Sequence, residues 1–538
     1  MPRYHQEHYT LEEEAVLGRF FTNTDLPVFG LLNLPEVVKG ALFARYSRSP
    51  KSLRRLFLDE FVADPEAGID LVAAGMAEDP LVATRKAEQL YDRMFFDYGD
   101  DSVAQLGGAH LACEQASNLL TKVLEWGRLA AYLEQSTRYI AYDARIGDRY
   151  RYMVPDEIAV SGLADRYTAH LERVFDTYSR MVETMTDFYS ARHPRQEGDP
   201  NWVWRSTIRA KACDTVRGLL PISTLSSVGI YATGQAYEMA LVRMRANPLA
   251  EVREYGEMML VELRKIIPSF LTRVDLEERG IRWSSYLADV RNDLAIAADG
   301  LDSPADPGPE VTLTDWDPEA ETKVVAAALY AVSERPDSEL IALARAMSPD
   351  RRAEMIAAMI GDRANRRHKP GRAMERTTYR FDVKCDIGAF RDLQRHRLMT
   401  LEWQRYSTRL GYDLPPHLAE NDLEGEWIAI MDDAGELYED TREMLGADVA
   451  QYVVPFAYNV RFVMEMNPRQ AFHLIELRSG AAGHPTYRAV AHQMHHAIRV
   501  VAGHNLIADA MTFVDYSDVD LERLDSERRA FAKRSATG

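Results

Sequence analysis

Cysteine is scarce in this chain: only Cys113, Cys213 and Cys385 occur among 538 residues. Three scattered thiols do not make a disulfide framework, so they predict a reducing, cytoplasmic compartment. Long apolar runs are also missing, because no stretch approaches the roughly 20 residues needed to span a bilayer. The amino terminus lacks the apolar core of a signal peptide. We therefore expect neither secretion nor a membrane partner.

Positive charge is in deficit as well, with a formal net charge of -19 at pH 7. This balance argues against nucleic acid as a partner, since that binding depends on many basic contacts to phosphates. It does not argue against a small anion held in a local basic pocket. The sequence also has no Gly-rich dinucleotide fingerprint and no P-loop lysine motif, so neither a Rossmann nor a Walker-type phosphate site is predicted.

One basic stretch stands out against this acidic background. Residues 391–413 contain five arginines, one histidine and a Ser-Thr pair, with few acids. Alternation in residues 379–386 predicts a strand before it, and apolar spacing over residues 389–406 predicts a helix. On such a helix Arg395, His396 and Arg397 would point in three directions, because neighbouring residues do not share a face.

Two interpretations of this stretch are open. It is either a solvated basic helix face or a site for an anion, since arginine forks match phosphate and carboxylate oxygens. Ser407 and Thr408 would add hydroxyls that close a phosphate cup. The acidic chain and the apolar neighbours Phe390, Leu401 and Trp403 favour the anion site, because buried arginines need partners.

The triplet Arg395-His396-Arg397, followed by Ser407-Thr408-Arg409, resembles the RHR-x7-S signature of the flavin-dependent thymidylate synthases. Nine residues rather than seven separate the two elements here. Residues 448–478 resemble a second block of that family, and five positions match its spacing: Pro455, Asn467, Arg469, His473 and Arg478.

The resemblance implies an α+β fold, helix-rich with small, mainly antiparallel sheets. It implies synthesis of dTMP from dUMP with methylenetetrahydrofolate and NADPH as co-substrates and FAD as cofactor. It also implies roles for single residues of the second half. FAD would be held by Arg395, His396, Arg397, Asn467, Arg469 and His473. The nucleotide phosphate would contact Ser407 and Arg409, and Arg478 would act catalytically by stabilising negative charge on the pyrimidine.

Residues 214–253 resemble the later block too, which predicts an internal duplication. The matched pairs are Asp214 with Asp448, Pro221 with Pro455, Arg243 with Arg478 and Arg253 with Arg488. We predict two synthase-like halves, residues 1–297 and 322–538, joined by an acidic, proline-rich linker at 298–321. In the first half, the positions that match nucleotide-binding residues are Glu134, Ser136, Arg138, Arg217 and Arg243.

Neither half is complete. The second half has Gln451 where the family has arginine, whereas the first half keeps Arg217; the first half has Trp126-Gly127-Arg128 in place of the RHR triplet. Two copies that complement each other would restore the family's sites, and a homodimer would then imitate the family's tetramer. A flavin- or nucleotide-binding paralogue without this reaction, and a helical interaction protein, are the alternatives.

Four further expectations concern local structure. Residues 109–139 and most of 160–296 have helical patterns, and another helix is predicted after Asp79-Pro80. Residues 99–103 resemble a segment that precedes the family's signature.

The basic run 363–376 is either a solvated loop or a second wall of an anion pocket. The spacing of His492 and His496 fits zinc, but without an accompanying acid or cysteine a polar helix face is favoured, and we predict no metal.

Overall fold

The computed structural model describes residues 7–26, 29–46, 49, 51–63, 105–138, 140–197, 199–298, 300–301 and 308–517. The predicted helix after Asp79-Pro80 and the segment 99–103 lie outside these residues. The chain forms two compact units. The first comprises residues 1–114, 129–134 and 227–303, and the second comprises residues 115–128, 135–226 and 304–538. The proposed boundaries of the two halves follow the sequence repeat rather than these units, and they remain a prediction.

The first unit contains helices around a three-stranded sheet. Its helices are α1 (Leu11–Phe20), α2 (Glu36–Tyr46), α3 (Leu53–Leu56), α8 (Gly234–Arg245), α9 (Ala250–Leu263) and α10 (Arg282–Ala297), with short 3-10 and π segments at Phe57–Val62, Pro268–Asp275 and Glu277–Ile281. The sheet comprises β1 (Gly108–Ser117), β2 (Ala130–Glu134) and β3 (Leu225–Thr233) in the order β1-β3-β2, and the ends of β1 and β3 continue into the second unit. Ser52 caps α3 by accepting a hydrogen bond from the Arg55 amide.

The second unit contains the longer helices. They are α4 (Asn118–Leu124), α5 (Asp156–Ala159), α6 (Ala164–Arg192), α7 (Asn201–Val216), α11 (Ala320–Tyr330), α12 (Asp337–Ala346), α13 (Pro349–Ile360), α14 (Ile387–Leu393), α15 (Glu424–Leu445), α16 (Ala447–Ala450), α17 (Pro468–Arg478), α18 (Pro485–Val500) and α19 (Asn505–Asp509). Short 3-10 turns lie at Arg217–Leu219, Arg372–Glu375, Ala419–Asn421 and Gln451–Val453. Within the described residues, no helix combines the length and apolar character needed to cross a membrane.

A four-stranded sheet forms the centre of this unit. Its strands are β4 (Val311–Trp316), β5 (Tyr379–Asp386), β6 (Thr400–Trp403) and β7 (Asn459–Met466), in the order β4-β5-β7-β6 with antiparallel neighbours. β5 confirms the strand predicted from alternation, since Tyr379, Phe381 and Val383 are fully buried while the residues between them are not. β4 begins inside the stretch that was predicted to be a linker.

The prediction that most of residues 160–296 are helical is confirmed, although β3 interrupts them. Two other helix predictions are wrong. Residues 109–139 contain β1 and β2 around the short helix α4. Likewise, the helix predicted over residues 389–406 ends at Leu393, and residues 400–403 pair with β7 instead. In each case long-range strand pairing decides the structure, and helical spacing over a short apolar run does not reveal it.

The duplication is visible in the structure. Strands β5, β7 and β6 repeat the order of β1, β3 and β2. Within the second unit, Pro221 and Pro455, which the sequence pairs as equivalents, form an antiparallel bridge. The Ile222 amide donates to the Val454 carbonyl at 2.8 Å and the Phe456 amide donates to the Leu220 carbonyl at 2.9 Å. Because equivalent residues exchange equivalent bonds, the bridge marks a local two-fold axis.

A buried ion pair fixes the basic run 363–376 to α17. Arg363 donates two hydrogen bonds to Glu476, at 2.7 and 2.6 Å, and the two side chains are only 4% and 1% exposed. The Arg363 guanidinium also lies 5.1 Å from the ring centres of Phe472 and Phe513. A buried charge with this many contacts is not a solvated loop residue.

We predict that Arg363→Ala lowers the free energy of unfolding by about 3–5 kcal/mol, because it leaves the Glu476 carboxylate buried without its partner. Arg345→Ala is the matched control. Arg345 makes the same two-bonded pair with Glu319 on the surface, and its loss should cost about 1 kcal/mol or less. Urea unfolding of the three proteins measures both values, and equal losses would contradict the prediction.

Candidate functional site

The basic stretch is positioned by the end of β5. Asp386 ends this strand and caps α14, since its carboxylate accepts the Ala389 amide at 2.8 Å. Helix α14 then carries Arg391 and Asp392, which are both buried. The triplet at 395–397 follows in the turn between α14 and β6, and not on a helix as predicted.

A polar cavity lies beside this turn, and we call it the arginine pocket. It is lined by Ser136, Thr137, Arg138, Arg217, Gly388, Arg391, Asp392, Arg395, Arg478 and Tyr487. All ten residues belong to the second unit. Residues from both predicted halves therefore build one pocket, in which five arginines converge.

Asp392 is the common counter-ion of this pocket. Its carboxylate lies 3.6 Å from Arg217, 3.7 Å from Arg395 and 3.6 Å from Arg478. Burial acts to raise the pKa of Asp392, but the surrounding arginines outweigh it and lower that pKa. The carboxylate is thus ionised at neutral pH, and one negative charge is shared among three cations.

Arg138 is held by a carboxylate of its own. It donates to both oxygens of Asp214 at 2.8 Å and to the Tyr487 hydroxyl at 2.9 Å. Burial opposes the charge on Asp214, yet Arg138 lowers the pKa of Asp214 to about 2. The pair fixes the guanidinium of Arg138 at one wall of the pocket.

Arg478 is oriented by His396. Its Nε donates to His396 Nε2 at 2.9 Å, and its Nη2 donates to the Asp392 carbonyl. Burial, and then the charge of Arg478, lower the pKa of His396 well below its usual value. The ring is therefore neutral, and Nε2 must be the nitrogen without a proton because arginine only donates. The side-chain amide of Gln470 lies 3.3 Å from the other ring nitrogen.

Three further residues matched to flavin positions, Asn467, Arg469 and His473, lie on or directly before α17. The rings of His473 and His396 lie 5.3 Å apart. Burial, with the charges of Lys369, Arg366 and Arg478, lowers the pKa of His473 to about 4. Asn467 caps α17 by accepting the Gln470 amide at 2.9 Å, whereas Arg469 donates to the Pro370 carbonyl and to Glu375. A neutral ring among cations marks a region of positive potential.

Several predicted site residues do not line the pocket. Arg409 donates twice to Glu439 at 2.9 Å, with Ser407 beside it. Glu134 lies in β2 and Arg243 in α8, both in the first unit. Burial lowers the pKa of Arg243.

Sequence reasoning missed five members of the pocket as site residues: Thr137, Gly388, Arg391, Asp392 and Tyr487. Arg391 donates to Thr137 at 3.0 Å, and it was one of the five arginines of the basic stretch. Asp392 occupies a position where the family resemblance expects glutamine, and that departure was the available signal. Tyr487 gave none, because an aromatic residue in an amphipathic helix usually packs in the core.

A second cavity adjoins the pocket and shares Arg138 and Arg217 with it. Its other walls are largely apolar, with Tyr189, Leu414, Pro415, Pro416 and Trp427, and its polar members include Lys211, Asp386, Asp413 and His484. Burial raises the pKa of both Asp386 and Asp413. The two cavities together give a wall rich in arginine next to a less polar one, the usual composition of a small-molecule site.

The chain matches the family model described as thymidylate synthase complementing protein, Thy1, over residues 62–269 and again over residues 312–502. It belongs to that family and contains two tandem units of it. It is 37% identical to a UPF0159 protein of Chlamydia muridarum over 97% of this chain and 98% of the relative, and 31% identical to the UPF0159 protein Ta1429 of Thermoplasma acidophilum over 92% and 99%.

At lower identity, the chain is also similar to proteins whose names state an activity. The chain is 24% identical to the flavin-dependent thymidylate synthase of Clostridium tetani, over 39% of this chain and 82% of that protein. Among solved structures, a UMP/dUMP methylase from Streptomyces cacaoi bound with 5-Br dUMP is 19% identical over 38% of this chain and 93% of its own, with a TM-score of 0.31. A flavin dependent thymidylate synthase from Helicobacter pylori, complexed with FAD and dUMP, is 17% identical over 35% and 93%, with a TM-score of 0.27.

His484 makes the free energy of unfolding depend on pH. Its Nδ1 accepts the Thr486 amide, so Nε2 carries the proton and lies 3.3 Å from the Asp214 carbonyl. Burial and Arg217 lower the pKa of His484 from 6.5 to about 3. Between these values the unfolded chain binds a proton that the folded protein does not. The free energy of unfolding should therefore fall, from this group alone, by about 1.4 kcal/mol for each pH unit below 6.5.

We predict that His484→Asn, which keeps an acceptor for the Thr486 amide, makes the free energy of unfolding less dependent on pH. Between pH 6 and roughly pH 4 its slope against pH should fall by the equivalent of one proton. Denaturant unfolding at a series of pH values measures the slope for both proteins. Identical slopes would show that His484 does not titrate on unfolding.

Proposed function

We propose that the protein is an FAD-dependent thymidylate synthase-like enzyme that converts dUMP to dTMP with methylenetetrahydrofolate and NADPH. The observation that carries this proposal is the arginine pocket. It gathers Ser136, Arg138 and Arg217 of the first half with Arg395 and Arg478 of the second. These are positions that the family resemblance assigned to nucleotide and flavin, and neither half supplies them alone.

Arg217 and Arg138 suit the phosphate of dUMP. Arg217 is 3% exposed, and its Nη2 has no hydrogen-bond partner among the described residues. Its ion pair with Asp392, at 3.6 Å, is longer than a hydrogen bond. A buried cation with unused donors is suited to a ligand oxygen, and each charge-assisted bond contributes about 1.5–3 kcal/mol.

Arg478 suits the developing negative charge of the pyrimidine. Its guanidinium is fixed by neutral His396 on one side and by Asp392 on the other. Orientation before the reaction is what electrostatic stabilisation requires, because no energy is then spent in turning the dipoles. Burial lowers the pKa of Arg478, although arginine stays charged in proteins.

The residues around His473 fit an anionic cofactor such as FAD, which carries a pyrophosphate. Lys369, Arg366 and Arg478 all act on His473 as positive charges, and a bound pyrophosphate would offset their mutual repulsion. Arg395, His396, Arg397, Asn467, Arg469 and His473 would hold it, with the basic run 363–376 as the second wall. When bound, FAD supplies hydride chemistry, and the protein needs to bind, orient and exclude water.

Growth of a thymidine-requiring strain that carries only this gene tests the reaction. Growth without thymidine supports the synthase, and its failure with a folded, flavin-loaded protein favours the paralogue that has a different or lost activity.

We also propose a homodimer, since two chains would supply four family-like units. Light scattering of the flavin-bound protein checks this, and a stable monomer would contradict it.

For the nucleotide, we predict that Arg217→Ala weakens dUMP binding about ten- to a hundredfold, the equivalent of one charge-assisted hydrogen bond. Arg442→Ala is the control, because Arg442 lies on α15 and forms a half-exposed ion pair with Glu439. Calorimetry with dUMP measures both. If Arg217→Ala binds dUMP as tightly as the control, the pocket is not the phosphate site.

For the cofactor, we predict that Arg469→Ala lowers flavin occupancy at least tenfold while circular dichroism stays unchanged, since it removes from a partly exposed position a cation that acts on Lys369. Arg380→Ala on β5 is a matched control, because Arg380 forms a comparable half-exposed pair with Glu465. Flavin absorbance relative to protein is the measurement. Equal occupancy in the two variants would place the cofactor elsewhere.

A further inference from the structure

The sequence repeat and the local two-fold axis assign counterparts within the second unit to several residues of the arginine pocket. Helices α4 and α14 both have seven residues, and their caps, Ser117 and Asp386, are equivalent. Counting from the caps, Lys122 corresponds to Arg391 and Val123 corresponds to Asp392. The counterpart of the shared carboxylate is thus an apolar side chain.

The 3-10 turns give the next correspondence. Arg217 and Gln451 each begin such a turn, four residues before the bridged prolines. Gln451 is buried, and its side-chain oxygen accepts the Tyr406 amide at 3.1 Å while its nitrogen donates to the Asp448 carbonyl. A charged donor for an anion is therefore replaced by an amide that is used in backbone contacts.

Within the second unit, Lys122 and Arg409, the counterparts of Arg391 and Arg138, each have an acid. Lys122 pairs with Glu125 at 2.7 Å, and the two side chains are 1% and 5% exposed. Arg409, the equivalent of Arg138, pairs with Glu439. Asp448, the equivalent of Asp214, instead accepts from Arg405 at 2.8 Å. The positive charges of these two counterparts are thus neutralised pair by pair, whereas three arginines share Asp392 in the arginine pocket.

We propose that each chain carries one nucleotide-phosphate site, and that the counterpart set is a closed pocket held shut by its own ion pairs. This inference rests on the proposed function, because it takes dUMP as the ligand. The duplication therefore gave one composite site with divided roles and did not give two equal sites.

Calorimetric titration of the flavin-loaded, full-length protein with dUMP tests this inference. We expect one equivalent per chain. Arg217→Gln, which places in the arginine pocket the residue of the closed pocket, should weaken the single binding event at least tenfold and leave no residual tight site. Arg217→Lys serves as a second variant that keeps the buried charge, and thermal melting confirms that both fold. Arg409→Ala, on the closed side, should leave one equivalent.

Two equivalents per chain, or a loss of stoichiometry in Arg409→Ala, would overturn the single-site inference while the proposed function stands. A tight site that remains in both Arg217 variants would also overturn it. If wild-type protein binds no dUMP at all, the proposed function fails together with the inference. Stoichiometry and binding therefore separate the two failures.

Discussion

A single buried carboxylate, Asp392, holds the candidate site together. Three arginines from different parts of the chain lie within 3.7 Å of it, and without it they would repel one another in a region with little water. One negative charge is too little to neutralise three positive ones, so these four groups keep a net positive charge. The family resemblance expects glutamine at this position, so the shared carboxylate is a departure of this chain from that resemblance.

The position of Asp392 depends on the duplication. Thr137 and Arg217 come from the first half, and Arg391, Asp392 and Arg478 come from the second, but all lie in one compact unit. The bridge at Pro221 and Pro455 brings these segments together through backbone bonds that do not depend on side-chain identity. Side chains on either side of the axis were therefore free to differ.

Part of the fold and part of the candidate site could be predicted from the sequence. The family, the tandem repeat, strand β5 and the importance of the arginine-rich stretch follow from local patterns and from ordered motif matches. The pairing of 400–403 with β7 could not be predicted, because strand partners are distant in sequence. The companions of Arg217 could not be predicted either: the motifs allowed Ser136 with Arg138, or Ser407 with Arg409, and only the structure shows that Ser136 and Arg138 line one pocket with Arg217.

The proline bridge has a consequence for how such a protein changes over generations. Across a true two-fold axis between identical subunits, one codon change alters both sides, so a useful substitution at one site is imposed on the other. Fusion of the two copies removes that restriction, because Arg217 and Gln451 are encoded separately. Selection can then act on each side alone, and an acid such as Asp392 can arise on one side while its counterpart becomes Val123.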